Sequence, residues 1–233
     1  MKYIEANKLK KEHGLKDHFK NVNTWILRDP FIYKYFERFD RNSKVLELGA
    51  GRGGFLKALD EMGFKNVSGL DIGNYLEKEN EKYRFDVIDL NTEKLPYEDN
   101  SLDVVAGFQV IEHLENYFLV QQEVARVLKP GGMFIFSIPN HMNLFYRIKY
   151  AITGNITGFE VDNNHLLFLT RNVFKKTYLQ NFDLVRMYYD KGPIPMLGRL
   201  NFLPFVNFPP KVKVLPRCEA FAYKVCYFLK KKN

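Results

Sequence analysis

The chain has 233 residues, 46% of them hydrophobic, and a formal net charge of +8 with a pI near 9.2. That length suits one α/β domain with additions better than two domains, the apolar content is ample for a core, and the basic excess permits a nucleic-acid, membrane or acidic partner without choosing among them. The two cysteines make no disulfide framework and match no zinc spacing, and no run approaches the roughly 20 apolar residues that a spanning helix needs.

Residues 1–20 are polar and lysine-rich and read as a helix or an arm. Without an apolar segment there, no secretory signal is expected, and a reducing cytoplasm is the expected location. Residues 22–39 place Trp25, Ile26, Leu27, Phe31, Ile32, Tyr35 and Phe36 at mostly helical spacing, with Asp29 as a cap before Pro30. Residues 1–43 therefore read as helical cover ahead of the first strand. Lys44 to Phe55, KVLELGAGRGGF, is a buried strand (Val45, Leu46, Leu48), a glycine-rich turn and a helix start. That helix is expected over Gly54–Met62, stopped by Gly63. A second strand follows over Val67–Asp71, a short charged helix over Asn74–Lys82, and a third strand within Tyr83–Leu90, closed by Asp89-Leu90.

The fourth strand reads as Leu102–Gly107. A helix follows over about Asn116–Leu128, with Leu119, Val120, Val124, Val127 and Leu128 on one face. Lys129-Pro130-Gly131-Gly132 should end it, and Met133–Ile138 is the fifth strand. Thr170 is expected to cap a helix within Leu166–Phe182 whose Val173, Phe174, Tyr178 and Leu179 face inward. Asp183–Tyr189 is the sixth strand. Glu219–Leu229 is the seventh, with Phe221, Tyr223, Val225 and Tyr227 alternating against Ala222, Lys224 and Cys226.

The glycine turn has two readings from its residues. Gly49, Gly51 and Gly54 satisfy G-x-G-x-x-G, the dinucleotide fingerprint, with Asp71 about 20 residues on. The alternative is a nucleoside-binding turn in which backbone N–H groups at a helix start meet the ligand, and Glu47 turns a carboxylate to the same crevice. Both need a tight turn, a close backbone approach and an acid on a ribose.

Later segments choose between them. Glu47-Leu48-Gly49-Ala50-Gly51-Arg52-Gly53 is followed by Leu95-Pro96-Tyr97, by Asp99-Asn100-Ser101-Leu102-Asp103-Val104-Val105, by Ile111-Glu112-His113-Leu114 and by Leu128-Lys129-Pro130-Gly131-Gly132. This series resembles the small-molecule branch of the class I S-adenosylmethionine-dependent methyltransferases, in particular ubiquinone-type, menaquinone-type and glycan-tailoring members. The resemblance is strong over about Val45–Asn140, and no nicotinamide dehydrogenase pattern places such a series after its glycine turn. It implies an α/β, Rossmann-like, seven-stranded and mostly parallel sheet with helices on both faces and the last strand antiparallel. Residues 1–233 would then form one methyltransferase domain.

The resemblance also implies the cofactor, S-adenosyl-L-methionine, with S-adenosyl-L-homocysteine as product. Glu47, Gly49, Ala50, Gly51 and Gly53 would line its methionine and ribose portion. Asp71 would take the ribose hydroxyls, Ile72 would lie on the adenine, and Asp89 with Leu90 would meet the adenine edge. Phe108, Gln109 and Val110 would floor the site near the sulfonium. A hydroxyl acceptor must lose a proton, so a nearby base is expected; His113 and His165 are the candidates, with His141 third. Glu112, His113, Glu160 and His165 have no spacing that specifies a metal site, and no metal is assigned.

Residues 141–165 and 192–216 read as insertions that form an acceptor lid or cover. The second is apolar and proline-rich, fit for core cover, a homodimer contact or peripheral contact with the inner face of a membrane. The fourth strand ends in Phe108-Gln109-Val110-Ile111 and not in the Asp/Asn-Pro-Pro-aromatic motif of nucleobase amino-methyltransferases. Nucleic acid is therefore disfavoured as partner. The expected function is methyl transfer to a small or lipid-linked molecule at a hydroxyl. A protein or RNA methyltransferase and a non-catalytic module of the same fold are the alternatives.

Overall fold

A computed structural model describes residues 29–159, 164–190, 219–220 and 222–233. The 192–216 insertion, Phe221, Glu160 and most of the amino-terminal cover lie outside the described residues. The elements are α1 (Pro30–Phe36), β1 (Lys44–Leu48), α2 (Gly54–Glu61), β2 (Asn66–Asp71), β3 (Arg84–Val87), β4 (Leu102–Phe108), α3 (Tyr117–Val127), β5 (Leu128–Pro139), α4 (Leu144–Thr153), α5 (Arg171–Thr177), β6 (Phe182–Tyr189) and β7 (Lys224–Lys231).

The seven strands form one sheet in the order β3-β2-β1-β4-β5-β7-β6. Strands β1 to β5 pair in parallel, and β7 runs antiparallel to both of its neighbours. The order reverses between β1 and β4. A crevice opens there at the strand carboxyl ends, the position where open α/β sheets take their ligands.

Period-2 alternation explains why both faces are covered. Val104, Ala106 and Phe108 of β4, Met133 and Ile135 of β5 and Phe228 of β7 pack with Phe36 of α1 and with Phe55 and Leu59 of α2. Val105, Phe134, Phe136, Val225, Tyr227 and Leu229 point the other way, onto Val120, Val124 and Val127 of α3 and Phe174 of α5. Asp29 Oδ1 accepts from Phe31 N at 2.9 Å, so Asp29 caps α1 as expected. Its carboxylate also accepts from Tyr188 Oη at 2.9 and 2.7 Å, which hooks α1 onto β6.

Several boundaries depart from the sequence reading. Residues 74–82 form only a 3-10 turn at Lys78–Asn80. The stretch has no apolar stripe to bury, and Asn80, 2% exposed, turns inward to donate from Nδ2 to Arg52 O at 2.7 Å. Strand β3 stops at Val87, because Asp89 O receives Thr92 N and Glu93 N and starts a turn. The α3 helix ends at Val127, one residue before the expected Leu128, and Leu128–Gly132 is already strand, with Leu128 paired to Leu102. Strand β7 begins five residues later than expected. Carbonyls ahead of it serve instead as acceptors: Asn140 Nδ2 donates to Glu219 O and Ala222 O at 2.7 and 2.9 Å. Within 141–165, α4 forms under an Asn143 cap and buries no residue.

Candidate active site

The site is built on the end of β1. Gly49 and Gly51 have φ of +65° and +51°, the left-handed region that favours glycine. The two serve differently. A Cβ on Gly49 would run into the Val110 side chain, whereas a Cβ on Gly51 would meet nothing within 4 Å. Gly51 therefore faces open space. The turn is held from two sides. Asp71, at the end of β2, accepts from Gly51 N through Oδ2 at 2.9 Å and from Ile72 N through Oδ1 at 2.7 Å. Asn80 holds the Arg52 carbonyl from the other side.

The cleft beside this turn has a cavity volume of about 140 Å³ and opens to solvent. Gly49, Gly51, Asp71, Ile72, Asp89, Leu90, Phe108, Gln109, Val110 and His113, all singled out in the sequence, line it. Ile88, Asn91 and Leu114 line it too, and the sequence reading missed them. Ile88 and Asn91 flank Asp89-Leu90, so the whole turn after β3 was the signal. Asn91 Oδ1 accepts from Glu115 N and Asn116 N at 2.8 and 3.2 Å, tying that turn to the start of α3.

Glu47, Ala50 and Gly53 do not line the cleft wall. Strand β1 is flanked by β2 and β4 and covered on both faces, so the Glu47 side chain is enclosed, 0% exposed, behind the residues that line the cleft. Neither of its carboxylate oxygens has a hydrogen-bond partner. Burial, and then the nearby Asp71 carboxylate, push its pKa well above the usual carboxylate range. Burial raises Asp71 as well, against the lowering effect of its two backbone hydrogen bonds. Ala50 is buried, and Gly53 packs against Leu76 and Asn80.

On the floor, Gln109 is one of two non-glycine residues among those described with positive φ, +57°. It is held there by Ser137: its N donates to Ser137 O at 3.0 Å and its Nε2 to Ser137 Oγ at 3.3 Å. The far end of the cleft is histidine-rich. The His113 and His165 rings lie 4.9 Å apart, and His141 lies 6.0 Å from His165. His113 Nδ1 is 3.3 Å from Asn164 O. A carbonyl oxygen only accepts, so Nδ1 carries the proton and Nε2 bears the lone pair. His165 does not line the cleft itself but stands behind His113. Glu112 is 1% exposed, and burial lifts its pKa to about 8 despite Lys224. The backbone brings Glu112, His113 and His165 together, although their spacing specified no such cluster.

A family model described as a methyltransferase domain matches residues 46–136, the span from β1 into β5. Over 122 residues the chain is 35% identical to a probable S-adenosylmethionine-dependent methyltransferase of Mycolicibacterium smegmatis, covering 52% of this chain and 47% of that one. Residues 46–136 thus match a methyltransferase domain, and the relatives that share this span are S-adenosylmethionine-dependent methyltransferases. The chain is also 33% identical over 102 residues to the sterol 4-C-methyltransferase strm-1 of Caenorhabditis elegans, covering 40% of this chain and 30% of that one. The chain thus spans about half the length of the first of these relatives and less of the second. The crystal structure of a SAM-dependent methyltransferase from Archaeoglobus fulgidus shares the fold with a TM-score of 0.61 at 18% identity, covering 97% of this chain and 99% of that one.

The cofactor that this similarity implies is S-adenosylmethionine, and the residues present fit it. The open side of Gly51 leaves room for a ligand against the backbone. Asp71 keeps acceptor capacity for a diol, because each oxygen takes a single backbone hydrogen. Ile72, Ile88 and Leu90 give an apolar wall for a base. The orphaned Glu47 carboxylate suits the amino group of the methionine part.

Proposed function

We propose that this methyltransferase moves a methyl group from S-adenosylmethionine to a hydroxyl of a small or lipid-linked acceptor. The observation that carries the reading is that His113 lines the same cleft as the glycine turn and Asp71, which puts a titratable ring in it. The cofactor supplies a methyl group on a positively charged sulfur. Gly49, Gly51 and Asp71 hold its ribose and methionine part, Ile72 and Leu90 its base, and Phe108, Gln109 and Val110 form the floor. Alignment of two reactants in one cleft can contribute roughly 7 to 11 kcal/mol. The oxygen–carbon bond forms as the sulfur–carbon bond breaks, its electron pair stays on sulfur, and the hydroxyl proton passes to His113 Nε2.

An apolar acceptor is supported by α4, whose Leu144, Ile148 and Ile152 stand 40%, 49% and 79% exposed among the described residues. Similarity to the sterol 4-C-methyltransferase favours a second reading, in which the accepting atom is carbon. Calorimetric titration of S-adenosylmethionine, S-adenosylhomocysteine and NAD into the full chain tests the cofactor assignment. Micromolar binding of both sulfur nucleosides, lost in Asp71→Ala and absent for NAD, is expected. Binding of NAD alone, or of none of them, overturns it. Transfer of label from methyl-tritiated cofactor to a lipid extract, and not to RNA or protein, tests the acceptor class.

A further inference from the structure

We propose that a second pocket, at the amino ends of β1, β2 and β3, binds a small molecule that carries two or more linked phosphate groups. Lys44, Lys65, Arg84, Tyr97, Glu98 and Ser101 are among the residues that line it. It has a cavity volume of about 540 Å³ and opens to solvent. The cofactor cleft lies at the other, carboxyl ends of the same strands, where Gly49, Asp71 and Ile88 line it. Binding at the amino ends therefore does not depend on the methyl-transfer reading.

The wall is basic, and its charge is not spent. Lys44, Lys65 and Arg84 bring three positive charges, and among the described lining residues Glu98 is the one acid. Acids beside the pocket are already engaged. Asp86 stands 3.4 Å from Arg84 Nε and accepts from Tyr97 Oη at 3.1 Å. Asp103 pairs through Oδ1 with Lys129 Nζ at 2.6 Å, and its Oδ2 accepts from Lys44 N at 2.9 Å. Lys44 and Lys65 are both exposed, and neither forms an ion pair through Nζ among the described residues. Cations gathered in a concavity focus the field on an anion, and lysine and arginine both suit phosphate oxygens.

Spacing sets the length of the ligand. In the parallel register Lys44 stands opposite Asn66, and Ser68 opposite Arg84, so the three cations head three adjacent strands. Neighbouring strands lie about 4.8 Å apart, which spreads the charges over roughly 10 Å. A single phosphate cannot reach all three, whereas a chain of two or three can. The frame is held by backbone and ring contacts. Lys65 N donates to Arg41 O at 2.9 Å, Asn66 Nδ2 donates to Asn42 O at 2.8 Å, and the Arg84 guanidinium lies 4.6 Å from the centre of the Tyr97 ring. A concave wall suits a compact ligand, whereas a nucleic-acid strand runs along an open basic groove.

The test is calorimetry on the full chain at about 0.15 M salt, where exposed charges are screened beyond about 8 Å. The probes are tripolyphosphate, pyrophosphate and inorganic phosphate, with and without saturating S-adenosylhomocysteine. One tripolyphosphate per chain is expected, bound at least tenfold more tightly than inorganic phosphate and unchanged within twofold by the nucleoside. The pair Lys44→Ala and Lys65→Ala should weaken it at least tenfold with an unchanged thermal midpoint. The pair Lys175→Ala and Lys176→Ala removes the same charge from exposed positions of α5 and should leave binding within twofold. Absence of saturable binding in the wild type, equal loss in the two pairs, or displacement by S-adenosylhomocysteine overturns the site. A single-stranded RNA oligonucleotide that binds more tightly than tripolyphosphate, and needs Lys44 and Lys65, would overturn the small ligand in favour of nucleic acid.

Discussion

Gly49→Ala should be the most damaging single-methyl change in the glycine turn, and the structure says which neighbour makes it so. The left-handed φ of +65° costs a non-glycine residue about 1–2 kcal/mol. The new Cβ would also strike the Val110 side chain, whose Cγ1 and Cβ lie 3.2 and 3.3 Å from it in addition to the closer Cγ2. Val110 is β-branched and starts the turn at Ile111–His113, so it has little room to rotate away. Overpacking of this kind costs about 1–3 kcal/mol, for a total near 2–5 kcal/mol. Val110→Ala alone removes two partly buried methyl groups, worth about 1 kcal/mol. In the double variant the contacts with both Cγ atoms disappear and only the Cβ contact at 3.3 Å and the φ term remain, so the two changes should couple favourably by about 1–3 kcal/mol. Gly51→Ala is the control. It has a similar φ but open space around its Cβ, so it should cost about 1–2 kcal/mol in stability. Its cofactor affinity should nevertheless fall at least tenfold. Urea denaturation of the four proteins of the cycle, together with Gly51→Ala, gives these values. An additive cycle, or a Gly51→Ala as unstable as Gly49→Ala, would refute the steric argument.

Further outcomes follow from the same site. Asn80→Ala, which removes a buried donor to Arg52 O, should lower stability by about 1–2 kcal/mol and weaken S-adenosylhomocysteine binding in calorimetry. Gln109→Gly should raise stability by about 0.5–1 kcal/mol by relieving the positive φ, yet bind cofactor more weakly, because Gln109 and not glycine shapes the floor. Glu47 has a folded pKa raised above its unfolded one, so its contribution to stability is present at low pH and is lost as pH rises through the folded value. Thermal denaturation should show this decline, and Glu47→Gln should remove it. If the cofactor's ammonium settles beside Glu47, binding should release protons, seen as a calorimetric enthalpy that changes with the ionisation heat of the buffer; no buffer dependence would place the ammonium elsewhere. Tyr188→Phe should cost about 1–2 kcal/mol through the lost bonds to Asp29, and Asp29→Asn should make Tyr188→Phe less costly.

What the sequence made legible depended on how local the cause was. The turn after β1 is written in glycines because the backbone angles demand them, and Asp71 could be placed because β2 must end beside that turn. The alternation of Val104, Ala106 and Phe108 against Val105 revealed a strand buried on both faces. Residues 74–82 misled because charged residues suit a helix only where one face can be buried, and here Asn80 was committed to Arg52 instead. Glu47 was assigned to the crevice from its distance to Gly49, but strand pleating encloses it. The meeting of Glu112 with His165 was illegible. It arises from hydrogen bonds of Leu166 N and Leu167 N to one carbonyl about fifty residues earlier, and backbone donors leave no trace in residue identity.

Strand β7 follows every other strand among the described residues but lies inside the sheet, between β5 and β6. During synthesis the first six strands therefore emerge before the one that joins them. Until Lys224–Lys231 arrives, β5 presents an unpaired edge through Phe134 and Phe136, and β6 has no neighbour to bond. A nascent or truncated chain in that state offers a sticky margin to any other extended segment. Chaperone demand and aggregation on truncation should concentrate at this junction, well away from the cleft, and a peptide copying 224–231 should rescue a chain that stops short of it.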